Sequence, residues 1–465
     1  MLFRVQKKVI FVPKVIRFED VTFSYPDKDT AVLSNFSMSI EKGERVVITG
    51  PSGCGKSTLL YLCNRLYPEN CDGIVSGRIE LFGKENDSYR PGEVNHRIAT
   101  VFQDPDAQFC MPTVEEELAF TLENLLVAQE EMETKISEVL ELTRLTDYRH
   151  SIIQSLSGGM KQRVATACAM IMEPEILLLD EPITHLDPYT AKQYIEWLDL
   201  LQQKSSITIL AIEHRLDLWD NFFHRTIKLK EDRIPYESYT KRKSMVQAEK
   251  SLHVENISTK HFLQPTSFSL NKGEIAVLAG PNGSGKSTLL KALSGILPSN
   301  GKVKPSMLGY VPQSPEFLFI TGQVKEEVSF GGVQNTEEML ERLNLSTVSD
   351  AHPFSISHGQ KRRLAIAIML CQNREVILMD EPTSGQDSAT LAELFKVIDN
   401  RSKAGTTFLI VTHDMEFAYK VADTILLMKD GAITGKYHSD SFWGKEDLLL
   451  EHQLLSPRRG ALYAH

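Results

Sequence analysis

The chain contains the same series of short motifs twice, in the same order. The segment ITGPSGCGKSTLL ends at Leu60 and LAGPNGSGKSTLL ends at Leu290, while ILLLDEP ends at Pro182 and VILMDEP ends at Pro382. Self-similarity over such a distance is typical of a duplicated structural unit. The 465 residues are enough for two domains of ordinary size. The sequence therefore predicts two copies of one domain.

The two copies differ in length. Lys56 and Asp180 are 124 residues apart, whereas Lys286 and Asp380 are 94 apart. Of the 30 residues missing from the second copy, 20 fall between the lysine and the next shared glutamine. The first copy has two strand-like runs around a polar loop there, and the second has only NGKVKPSMLGYVPQ. We therefore expect a trimmed β-region in the second half.

The pattern of each half is strand, glycine-rich loop and helix, followed by further apolar strands and helices. Such alternation is typical of an α/β core with parallel strands. A basic, polar stretch between the halves, ESYTKRKSMVQAEKS, has the composition of a linker. The predicted divisions are an N-terminal extension (1–14), a first domain (15–236), a linker (237–250), a second domain (251–440) and a C-terminal tail (441–465).

Each half carries the motif G-x-x-x-x-G-K-S between a strand and a helix, at Gly50–Ser57 and Gly280–Ser287. The glycines let backbone N–H groups surround phosphate oxygens, the lysine reaches the β- and γ-phosphates, and the serine hydroxyl holds Mg²⁺. We therefore predict two sites for ATP and Mg²⁺. The predicted nucleotide-binding residues of these loops are Gly50, Ser52, Gly53, Gly55, Lys56, Ser57 and Thr58 in the first half and Gly280, Asn282, Gly283, Gly285, Lys286, Ser287 and Thr288 in the second.

Acidic residues end one apolar strand in each half. Asp180 and Asp380 stand where a carboxylate can join the Mg²⁺ shell. Glu181 and Glu381 follow directly, and a glutamate there can act as a general base toward the attacking water. The alternative reading of each pair is a polar strand end. A phosphate loop upstream in both halves favours catalysis.

Two further polar residues recur after β-like runs. His214 and His413 follow the acidic pairs at nearly equal distances, which favours contact with the γ-phosphate over an unrelated surface histidine. Gln103 and Gln313 close the strands RIATVFQ and LGYVPQ, and we expect them to face the attacking water or the metal. The predicted metal-site residues are Ser57, Gln103, Asp180, Ser287, Gln313 and Asp380.

One aromatic residue of the first half is a candidate for base stacking. Tyr25 lies in FSYP upstream of the first phosphate loop and can stack on a nucleotide base or pack as a strand aromatic in the core. The second half has ENISTKHF at this point. His261 and Phe262 are the possible substitutes.

The order of phosphate loop, glutamine, signature (LSGG in the first half and ISHG in the second), DEP and histidine, present in both halves, closely resembles the ATP-binding-cassette (ABC) ATPases. The resemblance implies an α/β fold with two tandem P-loop domains, each with a RecA-like core, a helical subdomain and an antiparallel β-subdomain. It also implies that the two cassettes pair within the chain. Each phosphate loop would then meet the signature segment of the other half, which is 156–159 in the first half and 356–359 in the second. The predicted contact residues of the two signatures are Ser157, Gly159, Ser357, His358 and Gly359.

The second signature departs from the family pattern, because His358 replaces its first glycine. Ser357 and Gly359, which in the family make the main contacts, are retained. Met160 replaces the usual glutamine of the first signature, and ITHLD and TSGQD replace the usual TSGLD. We expect two working but unequal sites.

The segment Val101–Asn124 is similar to the stretch after the glutamine in energy-coupling-factor (ECF) ATPases, and Val311–Gly331 is a looser copy. This resemblance implies a transmembrane coupling subunit and a substrate-binding membrane subunit as partners. It implies import of a vitamin, a vitamin precursor (possible thiamine precursors among them) or a metal ion. The chain would sit peripherally on the cytoplasmic face of the membrane, and we expect acidic side chains in 104–117 and 314–327 to receive basic ends of coupling helices.

Composition limits the alternatives. The formal net charge of −10 argues against non-specific binding of nucleic acid, and no apolar run approaches the roughly 18 residues of a membrane span. One alternative is a soluble twin-cassette protein acting on ribosomes or nucleic acid, a class that usually has a long charged linker. The other is a fused sugar-importer ATPase, a class that often has a degraded second phosphate loop. The second loop here is intact.

Overall fold

A computed structural model describes residues 13–26, 30–51, 53–184, 186–214, 216–230, 241–330, 336–372 and 374–457. The chain forms two compact units. The first comprises residues 1–183 and 193–230, and the second comprises 184–192 and 231–465. Each unit is described below by itself.

The secondary structure up to residue 230 alternates between strands and helices. The strands are β1 (Lys14–Ser24), β2 (Leu33–Glu41), β3 (Arg45–Thr49), β4 (Ile74–Leu81), β5 (Lys84–Glu85), β6 (Ile98–Val101), β7 (Ile176–Asp180), β8 (Thr208–Ile212) and β9 (Arg225–Lys228). The helices are α1 (Lys56–Cys63), α2 (Leu66–Glu69), α3 (Val114–Asn124), α4 (Gln129–Thr143), α5 (Gly158–Met170) and α6 (Pro188–Ser205).

The core of the first unit is a parallel sheet with the order β6-β7-β8-β3-β9. Strands β7 and β8 are buried at every position, as expected for parallel strands covered on both faces. Parallel strands end at one edge of the sheet, so the residues after β3, β6, β7 and β8 come together there. A separate antiparallel sheet has the order β2-β1-β4-β5.

The second unit repeats this plan. Its strands are β10 (Lys250–Ser258), β11 (Thr266–Asn271), β12 (Ile275–Ala279), β13 (Asn300–Lys304), β14 (Gly309–Val311), β15 (Val376–Asp380), β16 (Thr407–Val411), β17 (Thr424–Lys429) and β18 (Ala432–His438). Its helices are α7 (Lys286–Leu293), α8 (Val324–Ser329), α9 (Thr336–Arg342), α10 (His358–Cys371), α11 (Ser388–Lys403), α12 (Met415–Val421), α13 (Ser439–Phe442) and α14 (Glu446–Glu451).

The core sheet of the second unit has the order β14-β15-β16-β12-β17-β18, with β18 antiparallel to β17. Its antiparallel sheet has three strands, β11-β10-β13, against four in the first unit. The trimmed β-region is therefore confirmed. Most of the missing residues lie after β4, where residues 82–97 of the first copy, which include β5, correspond to only 305–308 in the second.

Two stretches outside the predicted second domain pack onto the second unit. Arg242, in the predicted linker, is buried and forms ion pairs with Asp399 (3.0 Å) and Asp423 (2.6 Å). In the predicted tail, Phe442 and Leu449 belong to the hydrophobic core of this unit. The polar composition of residues 241–249 thus reflects an anchored segment; residues 231–240 lie outside the described structure. Among the described residues, no helix combines the length and the apolar character needed to cross a bilayer.

Candidate nucleotide sites

The two phosphate loops have nearly the same local geometry. Gly55 and Gly285 precede helices α1 and α7 with φ of +102° and +101°, a left-handed conformation that glycine adopts without strain. The ammonium group of Lys56 donates to the carbonyls of Gly50 (2.9 Å) and Pro51 (3.0 Å). Lys286 donates likewise to Gly280 (2.8 Å) and Pro281 (2.7 Å). Both lysines are thus held over their own loops.

The loop backbone also needs glycine for lack of space. A Cβ atom on Gly280 would lie 2.1 Å from the carbonyl oxygen of Met428, whereas one on Gly283 would have no atom within 4 Å. The loop is therefore tightly held at its start and open at its middle, as a phosphate cradle requires. Thr58 and Thr288 lie in the first turns of α1 and α7; Ser52 lies outside the described residues.

A buried aspartate lies beside each loop. Ser57 hydrogen-bonds to Asp180, and the Ser287 hydroxyl donates to Asp380 Oδ1 at 3.0 Å. Burial, with the neighbouring Glu181, raises the pKa of Asp180 to about 7, and burial raises the pKa of Asp380. Burial destabilises the negative charge of each carboxylate. A hydroxyl next to such a carboxylate is a pair of oxygen ligands that suits a hard divalent cation such as Mg²⁺.

Each glutamate follows its aspartate in a left-handed backbone conformation, with φ of +47° at Glu181 and +53° at Glu381. Such conformations cost free energy in a residue other than glycine, and they cluster at functional sites. Burial, together with Asp380, raises the pKa of Glu381 to about 8. The same unusual turn in both units directs the chain so that aspartate and glutamate stand side by side at the sheet edge.

The predicted histidines meet these glutamates. His214 Nε2 lies 3.0 Å from Glu181 Oε1, and His413 Nε2 lies 3.3 Å from Glu381 Oε1. In the first unit the Gln103 amide also donates to Glu181 Oε2 at 3.2 Å. The structure therefore brings the predicted glutamine, glutamate and histidine of the first unit together.

A cavity of about 330 Å³ marks the corresponding place in the second unit. The predicted residues that line it are Asn282, Gly283, Gly285, Lys286, Ser287, Thr288, Gln313, Glu381 and His413. Phe262 lines it too and is 72% exposed, so the structure favours Phe262 over His261 as the aromatic residue of this site. In the first unit the Tyr25 hydroxyl lies 3.0 Å from Thr58 Oγ1, and its ring packs against Phe23 and Tyr67.

The signature serines begin helices α5 and α10. Ser157 Oγ accepts a hydrogen bond from the Met160 N–H and Ser357 Oγ accepts one from the Gln360 N–H. Gln360 also accepts from the Ser357 N–H, which completes a capping box that Met160 cannot form. Both helix N-termini keep the geometry that suits an anion. The predicted pairing of each signature with the other half's loop stays a prediction.

The two signature glycine positions of the second copy differ in how much space they leave. His358 is the first residue of α10 and is exposed, so the helix accommodates an imidazole there. A Cβ atom on Gly359 would lie 3.3 Å from the Gly385 carbonyl, which is tighter than ordinary packing. This difference explains how the second copy can replace its first glycine and still fold, while the second glycine is retained. Gly159 is buried in α5.

Sequence reasoning missed a matched pair of buried glutamates. Glu117 Oε2 accepts from the N–H groups of Cys110 and Met111, and Glu327 Oε1 accepts from those of Ile320 and Thr321. Each carboxylate fixes the loop between Gln103 or Gln313, the predicted catalytic glutamines, and the next helix. The signal was present in the repeat, since both glutamates stand three residues after the valine of TVEEE and QVKEE.

The expected acidic docking surface stays a prediction, and several of its carboxylates have partners within their own unit. Glu115 pairs with Arg149 (2.5 Å), Glu116 caps α3 through Thr113, and Asp106 pairs with Lys161 (2.8 Å). These side chains therefore stabilise their own unit. Exposed apolar side chains occupy the second loop instead, with Phe317 84% and Ile320 66% exposed.

A parallel sheet with a phosphate loop, a buried aspartate and a glutamate–histidine pair, present twice, defines a P-loop ATPase with two nucleotide sites. A family model described as "ABC transporter" matches residues 33–184 and 263–384, more than half of the chain. The chain therefore belongs to the ABC transporter ATPase family, with tandem ATP-binding domains.

Curated relatives cover nearly the whole chain. A protein of Bacillus subtilis (strain 168), provisionally named HMP/thiamine import ATP-binding protein YkoD, is 37% identical, over 90% of this chain and 90% of the relative. A provisionally named ABC transporter ATP-binding protein of Streptococcus mutans serotype c is 31% identical over 93% of each. The solved structure titled "RNase-L Inhibitor" superposes with a TM-score of 0.64 at 21% identity, over 93% of each chain. That likeness shows the fold.

Proposed function

We propose that this protein is the ATP-hydrolysing subunit of an ECF-type importer that takes up thiamine or a thiamine precursor. The observation that carries import is the exposed apolar surface beside Gln313, formed by Phe317 and Ile320 and held by the buried Glu327. Large apolar side chains left exposed on a structured loop make that loop a candidate for a protein–protein contact. The chain then works at the cytoplasmic face of the membrane, bound to its membrane subunits.

The residues of each site divide the work of hydrolysis. Lys56 and Lys286 contact the phosphates, and Ser57 with Asp180, and Ser287 with Asp380, hold Mg²⁺. Mg²⁺, when bound, neutralises charge on the β- and γ-phosphates. Glu181 and Glu381 accept the proton of the attacking water, and His214 and His413 orient these glutamates through the 3.0 Å and 3.3 Å contacts. Gln103 and Gln313 face the water or the metal.

The two docking loops differ in chemistry. The second loop, after Gln313, carries Phe317 and Ile320, and Phe354, which precedes α10 and is 52% exposed, packs on Phe319 of this loop. The first loop has Ala107 and Cys110 at the positions that match Phe317 and Ile320. Two unlike loops suit two unlike contacts on the membrane subunits, and the apolar loop is the one expected to contribute more buried area.

The cargo rests on the named relative. The Bacillus subtilis protein is named for HMP/thiamine import, and 37% identity along 90% of both chains supports a shared type of transporter. The likeness to the structure titled "RNase-L Inhibitor", at 21% identity, concerns the fold and does not favour the alternative of a soluble ribosome-associated ATPase. The intact second phosphate loop disfavours the fused sugar importer.

Substitution of the apolar loop tests the proposal. Phe317→Ser with Ile320→Ser should lower recovery of the hydrophobic membrane subunits in detergent co-purification by at least about fivefold, because the buried apolar area is lost. Equilibrium ATP binding should be unchanged. Ile74→Ser, at a residue 63% exposed on the antiparallel sheet of the first unit, is the matched control.

Reconstituted vesicles test the cargo in the same preparation. ATP-dependent uptake of labelled thiamine or hydroxymethylpyrimidine should occur with the parent chain and fall with the loop variant. Co-purification of the parent with ribosomes, without membrane subunits, would contradict the proposal. Association with membrane subunits, but no uptake of either compound, would retain the importer and remove this cargo.

A further inference from the structure

The signature helix of the second unit carries an arginine that reaches two backbone groups of the proposed hydrolysis site. Arg362 lies on α10, is 1% exposed, and donates through Nη1 to the carbonyl of Glu381 and through Nη2 to the carbonyl of Gln313 (2.8 Å). Its planar guanidinium holds both carbonyls at once. One side chain thus joins the signature helix to residues that follow strands β14 and β15.

The burial of this cation shows that its two contacts matter. Taking a charge out of water is costly unless hydrogen bonds replace the lost hydration. Arg362 has the carboxylates of Asp380 and Glu381 nearby; its Nη1 and Nη2 donate to the carbonyls just described, while its Nε has no hydrogen-bond partner among the described residues. The Glu381 carbonyl belongs to a residue in a left-handed conformation, so the arginine donates to the strained turn that places the glutamate.

The first unit has a different residue at this position. Gln162 matches Arg362 in the repeat, is 2% exposed, and its amide nitrogen has no hydrogen-bond partner among the described residues. A neutral amide has one donor group and cannot span two carbonyls as a guanidinium does. The two sites are therefore held by different means, although their motifs are nearly the same.

We propose that Arg362 is a positioning residue of the second hydrolysis site, which holds the backbone of Glu381 and Gln313 in register for attack by water. This inference rests on the proposed role of Glu381 as general base. We expect Arg362 to affect turnover rather than ATP binding, because its hydrogen bonds in the described structure reach neither the phosphate loop nor Phe262. Its loss should lower kcat and leave KM for ATP nearly unchanged.

Arg363 provides a matched control. It is the next residue of the same helix, is 6% exposed, and its guanidinium contacts Gln386 (3.5 Å) and Thr390 (3.4 Å). Arg363→Gln therefore removes another buried charge from the same helix and leaves the hydrogen bonds from Arg362 to the carbonyls of Gln313 and Glu381 in place. A purely structural role for Arg362 predicts equal effects for the two substitutions.

Steady-state ATP hydrolysis by the full chain tests the inference, with thermal unfolding of each variant measured alongside. The loss of turnover in Glu381→Gln, relative to the parent, is the reference. Arg362→Gln should lose at least about three quarters as much turnover as Glu381→Gln, with KM for ATP within about twofold of the parent. Arg363→Gln should keep most of its turnover at a similar loss of stability. Arg362→Lys, which keeps the charge and loses the planar fork, should fall between Arg362→Gln and the parent.

Four results would overturn the inference. Parent-like turnover of Arg362→Gln with impaired Glu381→Gln would remove this inference and leave the proposed function intact. Loss of turnover in step with loss of stability, in both Arg362→Gln and Arg363→Gln, would make the role of the arginine structural. If Arg362→Gln does not fold, parent-like turnover of Arg362→Lys overturns the need for the two-carbonyl contact. Unimpaired Glu381→Gln would remove the general-base assignment as well.

Discussion

The residues that define the sites are carboxylates placed where their charge is costly. Glu381 is buried next to Asp380, and burial and this neighbour raise its pKa to about 8. Asp180 is buried next to Glu181, with its pKa raised to about 7. Proteins keep such groups where chemistry needs a metal ligand or a base near neutral pH. At this scale, the protein gives up stability to keep a reactive pair of acids.

The buried glutamate gives the metal-free protein a distinct pH dependence. Between about pH 4.5 and 8 the unfolded chain ionises this side chain while the folded state retains its proton, so stability contributed by Glu381 falls as pH rises. Glu381→Gln should therefore unfold at a higher temperature than the parent at pH 8, with the difference vanishing near pH 4.5. Calorimetry in EDTA across this range measures it; a difference that grows toward low pH would contradict the assignment.

At the scale of elements, the loops after Gln103 and Gln313 are the parts whose side-chain contacts the sequence did not predict. Its carboxylates were expected to face a partner, yet Glu117 and Glu327 are buried on loop N–H groups. An acidic run at a helix start has the same composition whether its side chains cap the helix, bind a loop or face solvent. The strand–loop–helix order around the phosphate loops was predictable, because glycine spacing and apolar runs leave few alternatives.

The anchoring of the second loop predicts a local effect on stability. Glu327→Gln replaces a carboxylate that accepts two N–H groups at 2.5 Å, and the weaker neutral bonds should cost about 1–3 kcal/mol of unfolding free energy. Glu326→Gln, at the exposed neighbouring position, should change it by less than about 0.5 kcal/mol. Urea unfolding of the two variants gives both values. Equal losses would remove the anchoring role of Glu327.

At the scale of the whole molecule, duplication made most of the architecture predictable. Two phosphate loops, two strand-end acid pairs and a shorter second β-region followed from the repeat, and the fold agrees. The packing of Arg242 and of Phe442 on the second unit did not follow. Both belong to stretches without a counterpart in the first copy, so the repeat offered no comparison. The contacts of Arg362 did not follow either, although Gln162 matches it in the repeat, because its partners are backbone carbonyls that no sequence motif specifies.

Both halves of this chain are proposed to form working ATP sites, and the stoichiometry of nucleotide binding measures this. Lys56→Ala and Lys286→Ala each remove a cation held over its own phosphate loop. Equilibrium titration with a fluorescent ATP analogue and Mg²⁺ should give two sites per chain for the parent and near one for each variant. One site in the parent, or two sites in either variant, would contradict the presence of one ATP site in each half.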